Sequence, residues 1–227
     1  MKKVFFLIQF YNLILWADTV TQGEAVEYYL KGEYSLLHNN YIQAESYFSK
    51  ALYLAPDSPS ILQSLVDLKV YQGDYAAAIK YLKKIIELMP NNKESGIELI
   101  QLYIQEGNLN DAYELLDTLL DYYPDDIELL HIRTNIQYSD QDWSNLLKTY
   151  HSIFLSDTDN INILFKIYEI GMSTDHLTVV LEIFEEIRLE NETPLILELL
   201  VEVLLEQNNL SNAIFYLRNL IEIDEAT

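Results

Sequence analysis

The residue types able to do chemistry are few, and their spacing does not suit it. Four histidines, His38, His131, His151 and His176, include no His-Glu-x-x-His pair that would put two imidazoles on one helix face for zinc. Paired carboxylates such as Asp125-Asp126 and Glu185-Glu186 serve hydrolysis when held across a cleft with shifted pKa values. With 36 acidic residues in the chain such pairs arise by chance, and they read as solvated faces. Asp140, Asp142 and the run Asp157-Thr158-Asp159-Asn160 offer oxygen ligands for calcium, yet lack the glycine and terminal glutamate of a calcium loop. Asp and Asn form turns in their own right, so these residues predict turns. With no cysteine there is no thiolate metal site, disulfide or cysteine nucleophile. Six scattered glycines build neither a phosphate loop nor a nucleophile elbow. No catalytic residue, metal or cofactor is predicted, which leaves non-covalent recognition.

A recognition surface needs elements to carry it, and here those elements repeat. Ala44, Ala78, Ala112, Leu146, Val180 and Ala213 recur every 34 residues, with a last step of 33. Three residues before them stand Tyr41, Tyr75, Leu109, Trp143, Leu177 and Leu210, all large and apolar. Four residues after them stand Phe48, Leu82, Leu116, Tyr150, Phe184 and Leu217. Gly73 and Gly107 share a turn position with Asn39, Gln141, Asp175 and Asn208. Each unit reads as two helices. In the second, Leu62, Leu65, Val66 and Lys69 keep helical spacing until Gly73-Asp74. Tyr75, Ala78, Ile79, Leu82, Ile85 and Ile86 resume it, and Pro90-Asn91-Asn92 ends it. Ser58-Pro59 and Thr193-Pro194 read as N-caps followed by first-turn prolines. The small-residue column has a physical reason: antiparallel helices approach closely only where one carries a small side chain. A lone helix pair cannot bury both faces, so the units must stack. Half the residues are hydrophobic and Gly and Pro are scarce, which gives an all-α class.

These columns resemble the tetratricopeptide repeat family over about residues 25–227, as six units starting near Ala25, Pro59, Lys93, Ile127, Ile161 and Pro194. In the first unit Gly32, Tyr41, Ala44, Phe48, Ala51 and Pro56 all stand where the family pattern wants them. Units two and three keep the second-helix alanine, the turn glycine and the closing Pro90 and Pro124. Units four to six depart, with Thr134, Tyr168 and Val201 at the small position of the first helix and Thr158 in place of the closing proline. The resemblance implies a right-handed α-solenoid of about six helix-turn-helix repeats. It also implies that the first helices line a concave side and hold extended or helical peptide segments there.

Placed on that side, the polar and aromatic centre of units two to four supplies the predicted partner-binding residues: Gln63, Asp67, Tyr71, Glu98, Gln101, Gln105, His131, Asn135 and Tyr138. Ser64 is expected to be exposed beside them. Chaperone-binding members of the family clamp a terminal carboxylate with Lys, Arg and Asn. The matching positions here are Tyr29, Glu33, Ser64, Glu94 and Glu98, whose acids repel a carboxylate. The expected partner is therefore a neutral to basic protein or peptide segment. Tyr28, Tyr29, Tyr34, Tyr41, Tyr47 and Tyr53 crowd the first unit, and serve either the core or an aromatic contact surface.

A net charge of -22, from 36 acidic and 14 basic residues, argues against nucleic acid, whose phosphates need cations. No small-molecule substrate is evident. Lys2-Lys3, the apolar run Val4–Trp16 and Ala17 read as a signal peptide over residues 1–17. The alternatives are an uncleaved anchor and a helix packed on the first repeat. The leading expectation is a non-catalytic scaffold exported to the periplasm or envelope. Its rivals are a cytoplasmic regulatory or assembly module and, third, a helical-superhelix enzyme. The sequence closes at Asp224-Glu225-Ala226-Thr227 after the last repeat. Ile214, Leu217, Leu220 and Ile221 are then expected to form an apolar end that a partner or a second copy covers.

Overall fold

The computed structural model describes residues 22–226. The leader read over residues 1–17 lies outside them. Among the described residues there are helices and no strand: α1 over 22–37, α2 Tyr41–Leu54, α3 Pro59–Gln72, α4 Tyr75–Leu88, α5 Lys93–Gln105, α6 Leu109–Tyr122, α7 Ile127–Ser139, α8 Trp143–Ser156, α9 Asn162–Thr174, α10 Leu177–Glu190, α11 Pro194–Glu206 and α12 Leu210–Ala226. The chain divides into two compact units, one up to Leu115 and one from Leu116, with the boundary inside α6. In the first, α2, α3, α4 and α5 each pack on the next; in the second, α7 to α12 do the same.

Local chemistry sets the turns. Within every helix pair one residue has positive φ: Asn39 (56°), Gly73 (74°), Gly107 (76°), Gln141 (58°), Asp175 (61°) and Asn208 (58°). These six form the turn column of the sequence. Gly adopts this left-handed backbone freely and Asn and Asp tolerate it, whereas Gln141 does so at a cost. Helix starts are capped by short polar side chains that accept from free backbone N–H groups. Asp74 accepts from Ala77 N at 3.2 Å, Asn92 from Ser95 N at 2.9 Å, Asp126 from Leu129 N at 3.1 Å and Thr193 from Ile196 N at 3.3 Å. Ser58 stands at the N-cap of α3 as expected, but its side chain makes no cap bond. Pro59, at the first helical position, has no N–H and leaves one group fewer to satisfy.

The core follows the columns. Ala44, Phe48 and Ala51 of α2 enclose Ile61, Leu65 and Leu68 of α3. Ala44, Ala78, Ala112, Leu146 and Val180 are fully buried, and Ala213 nearly so. Close approach is visible at Gly32, where a Cβ would lie 2.5 Å from Phe48 Cε1. In the fifth repeat the bulk is exchanged between the helices: Val180 fills the small column, and Gly171 of α9 faces it with no side chain. The last repeat departs from the column. Leu217 is 41% exposed, while its neighbour Tyr216 turns inward. There Tyr216 donates to Glu185, and the Arg188 guanidinium lies 5.4 Å from its ring centre. Burial first and the Glu185 carboxylate second push Tyr216 up to about 12. Ile214 and Ile221 of α12 are exposed with Leu217. No described helix is long and apolar enough to cross a membrane.

Candidate functional site

Hydrogen bonds link the first helices of the first unit. Ser64 Oγ on α3 donates to Glu33 Oε1 on α1 at 2.8 Å. Gln63 Nε2, also on α3, donates to Glu98 Oε2 on α5 at 2.9 Å and to Asp67 Oδ1 at 3.0 Å. Ser64 is buried by this arrangement, not exposed as its sequence position suggested. Burial chiefly, and then the Asp67 charge, raise the Glu98 carboxyl above its usual range against the opposing Gln63 bond. Gln101 and Gln105 lie exposed on α5. Tyr71, 67% exposed at the end of α3, stacks on Tyr41 of α2 with ring centres 4.5 Å apart.

Six of the nine predicted residues thus lie on α3 and α5 of the first unit. The other three, His131, Asn135 and Tyr138, recur along α7 of the second at spacings of four and three and are exposed. Their backbone carbonyls are partly engaged: Thr134 Oγ1 donates to His131 O at 2.8 Å, and Ser139 Oγ to Asn135 O at 3.0 Å. The Tyr138 ring meets Trp143 edge-on at 5.3 Å. Further along, burial and then a hydrogen bond with Glu202 push Tyr168 up to about 12, linking α9 to α11.

The tyrosines of the first repeat divide between the two expected roles. Tyr29 tilts against buried Phe48 at 5.9 Å, and Tyr28 stacks on Tyr47 at 6.3 Å. Tyr34 and Tyr53 are exposed. Lys31 and Lys50 each sit 5.5 Å from the Tyr28 ring centre. A shallow cleft of about 390 Å³ opens between Leu30, Lys31 and Tyr34 of α1 and Gln43 and Tyr47 of α2.

One element of the face escaped sequence reasoning. Val26, Leu30 and Leu37 on α1 are 56%, 58% and 82% exposed. With Glu33 they recur at spacings of four, three and four, so they share the side of α1 that meets Ser64. The signal is in the sequence: the three recur at helical spacing along the first helix of the first unit.

His151 on α8 is half-buried, its side chain 14% exposed. Its Nε2 is buried without a partner, and Nδ1 stands 3.6 Å from Glu186. Burial lowers its pKa, against the pull of Glu186 and Glu190. Among the described residues no three metal-ligating side chains gather together.

The fold and the face define an all-α repeat solenoid whose first helices present a polar row. Two profiles described as tetratricopeptide repeat match residues 28–58 and 69–136. A comparison with curated protein sequences finds no match. Solved structures are similar in fold at low identity. A tetratricopeptide repeat protein from Parabacteroides merdae is 15% identical with a TM-score of 0.57, over 88% of this chain and 80% of its own. MamA 41-end from Desulfovibrio magneticus is 15% identical with a TM-score of 0.52, over 75% and 98%. YrrB, described as a TPR protein with an unusual peptide-binding site, is 13% identical with a TM-score of 0.52, over 76% and 89%. Residues 28–58 and 69–136 thus match tetratricopeptide repeats, and the fold is an all-α solenoid of such repeats.

Proposed function

We propose that this protein is a non-catalytic scaffold that holds a partner polypeptide along the exposed face of its first helices. The observation that carries this reading is the pair of links from Ser64 to Glu33 and from Gln63 to Glu98. They hold α1, α3 and α5 side by side and leave Asp67, Tyr71, Gln101 and Gln105 facing solvent. Acidic and amide groups in that row favour a neutral to basic segment over an acidic one. The peptide-binding site named for YrrB is in keeping with this reading. The double change Asp67→Lys with Glu98→Lys tests it: partner capture drops, while the far-UV circular dichroism spectrum stays that of the parent. Undiminished capture by that variant refutes the reading.

Export to the periplasm or envelope is part of the proposal. It rests on Lys2-Lys3, the apolar run Val4–Trp16 and Ala17. Intact mass of the native protein from exported and cytosolic fractions tests it. A chain beginning at Asp18 in the exported fraction supports export, and full-length chain confined to the cytosol refutes it.

A further inference from the structure

The first unit presents two chemistries on one continuous face. Along α1, Val26, Leu30 and Leu37 form an apolar ridge that faces solvent over more than half of each residue. Glu33 sits within that ridge and is tied to α3 by the Ser64 bond, so the ridge leads directly to the next helix. There Asp67 and Glu98 share a neutral donor, the Gln63 amide, whose two hydrogens are both taken. One carboxamide solvates two carboxylates and neutralises neither.

We propose that this face docks a partner segment carrying apolar side chains at one end, over Val26, Leu30 and Leu37, and a lysine or arginine at the other, between Asp67 and Glu98. The proposal rests on the scaffold reading and names its partner's chemistry and direction. Charge complementarity selects the cation: an ammonium or guanidinium supplies the positive charge that Gln63 lacks. The apolar end removes the α1 ridge from water. Packed helices lie about 8–10 Å apart, and α5 is two steps from α1. In an extended chain the cation therefore falls about three to six residues from the apolar anchors.

The test is selection of a random 16-residue phage-displayed peptide library on the full chain at low salt. The expected winners pair Leu, Ile or Phe with Lys or Arg at that separation. Their affinity drops at least tenfold with Leu30→Asp, and likewise with the isosteric pair Asp67→Asn and Glu98→Gln; Lys80→Ala on α4 leaves it unchanged. Winners without a cation, or winners indifferent to both sets of changes, overturn the two-part site while leaving a scaffold that binds elsewhere. A library that yields no binder of any kind overturns the scaffold reading as well. A photo-reactive group at position 30 separates the remaining occupants. A cross-link into the apolar end of the selected peptide supports the proposal. A cross-link into residues 4–16 of the same chain, or into a second copy, overturns it.

Discussion

Gly171 and Val180 offer the sharpest test of how the repeats pack. A Cβ on Gly171 would fall inside the van der Waals shell of Val180 Cγ2, and Val180 is fully buried. Gly171→Ala gains about 1 kcal/mol of helix propensity. It loses about 1–3 kcal/mol to overpacking, so the net loss is about 1 kcal/mol. Val180→Ala removes two methyl groups at about 0.8 kcal/mol each. The cavity term brings its loss to about 2 kcal/mol. In the double variant the methyl added at position 171 enters the space that Val180 vacates, and the propensity gain is kept. Its loss is then about 1–2 kcal/mol, less than the sum of the singles by at least about 1 kcal/mol. Denaturant unfolding of the four proteins, followed by far-UV circular dichroism, measures this coupling. Additive effects, or a Gly171→Ala variant more stable than its parent, would refute the exchange of bulk between α9 and α10.

Other predictions follow from single residues. Gln141→Gly relieves a φ of 58° and raises stability by about 0.5–1 kcal/mol, whereas Gly107→Ala, at a φ of 76°, lowers it by about 1 kcal/mol; thermal midpoints read both. Thr193→Ala removes the 3.3 Å bond from Ile196 N and lowers the unfolding free energy by about 1 kcal/mol, read by denaturant titration. Burial depresses the pKa of His151 in the folded chain, so the unfolded chain takes up that proton first as pH falls. The stability it contributes is complete above the usual histidine value of about 6.5. It is lost as pH drops from there toward the lower folded value, and His151→Gln flattens that part of the stability-pH curve.

Much of the fold was legible because several columns agreed at one period. The six turn residues, alike only in position, all adopt positive φ, and the helix starts fall within a residue or two of the units read from Pro59, Lys93, Ile127 and Pro194. What stayed hidden depends on contacts between columns. The sequence shows Val180 in a small position but not Gly171 giving way to it. It shows Leu217 in a buried column, but not that Tyr216 takes the inward place. Ser64 reads as an exposed polar residue until Glu33 is brought beside it. Val26, Leu30 and Leu37 are apolar residues at helical spacing, a pattern that core and contact surface share, and only their exposure makes them part of the face.

Whether a polypeptide is held on the first helices is read by in-cell photo-cross-linking. A photo-reactive residue placed in turn at Leu30, Tyr71 and Gln101 on the first helices, and at Lys80 and Glu114 on the second, maps where a partner lies. Protein cross-links are expected from the first three positions and little from the other two. Equal cross-linking from both groups, or cross-links from Lys80 and Glu114 alone, would contradict that placement.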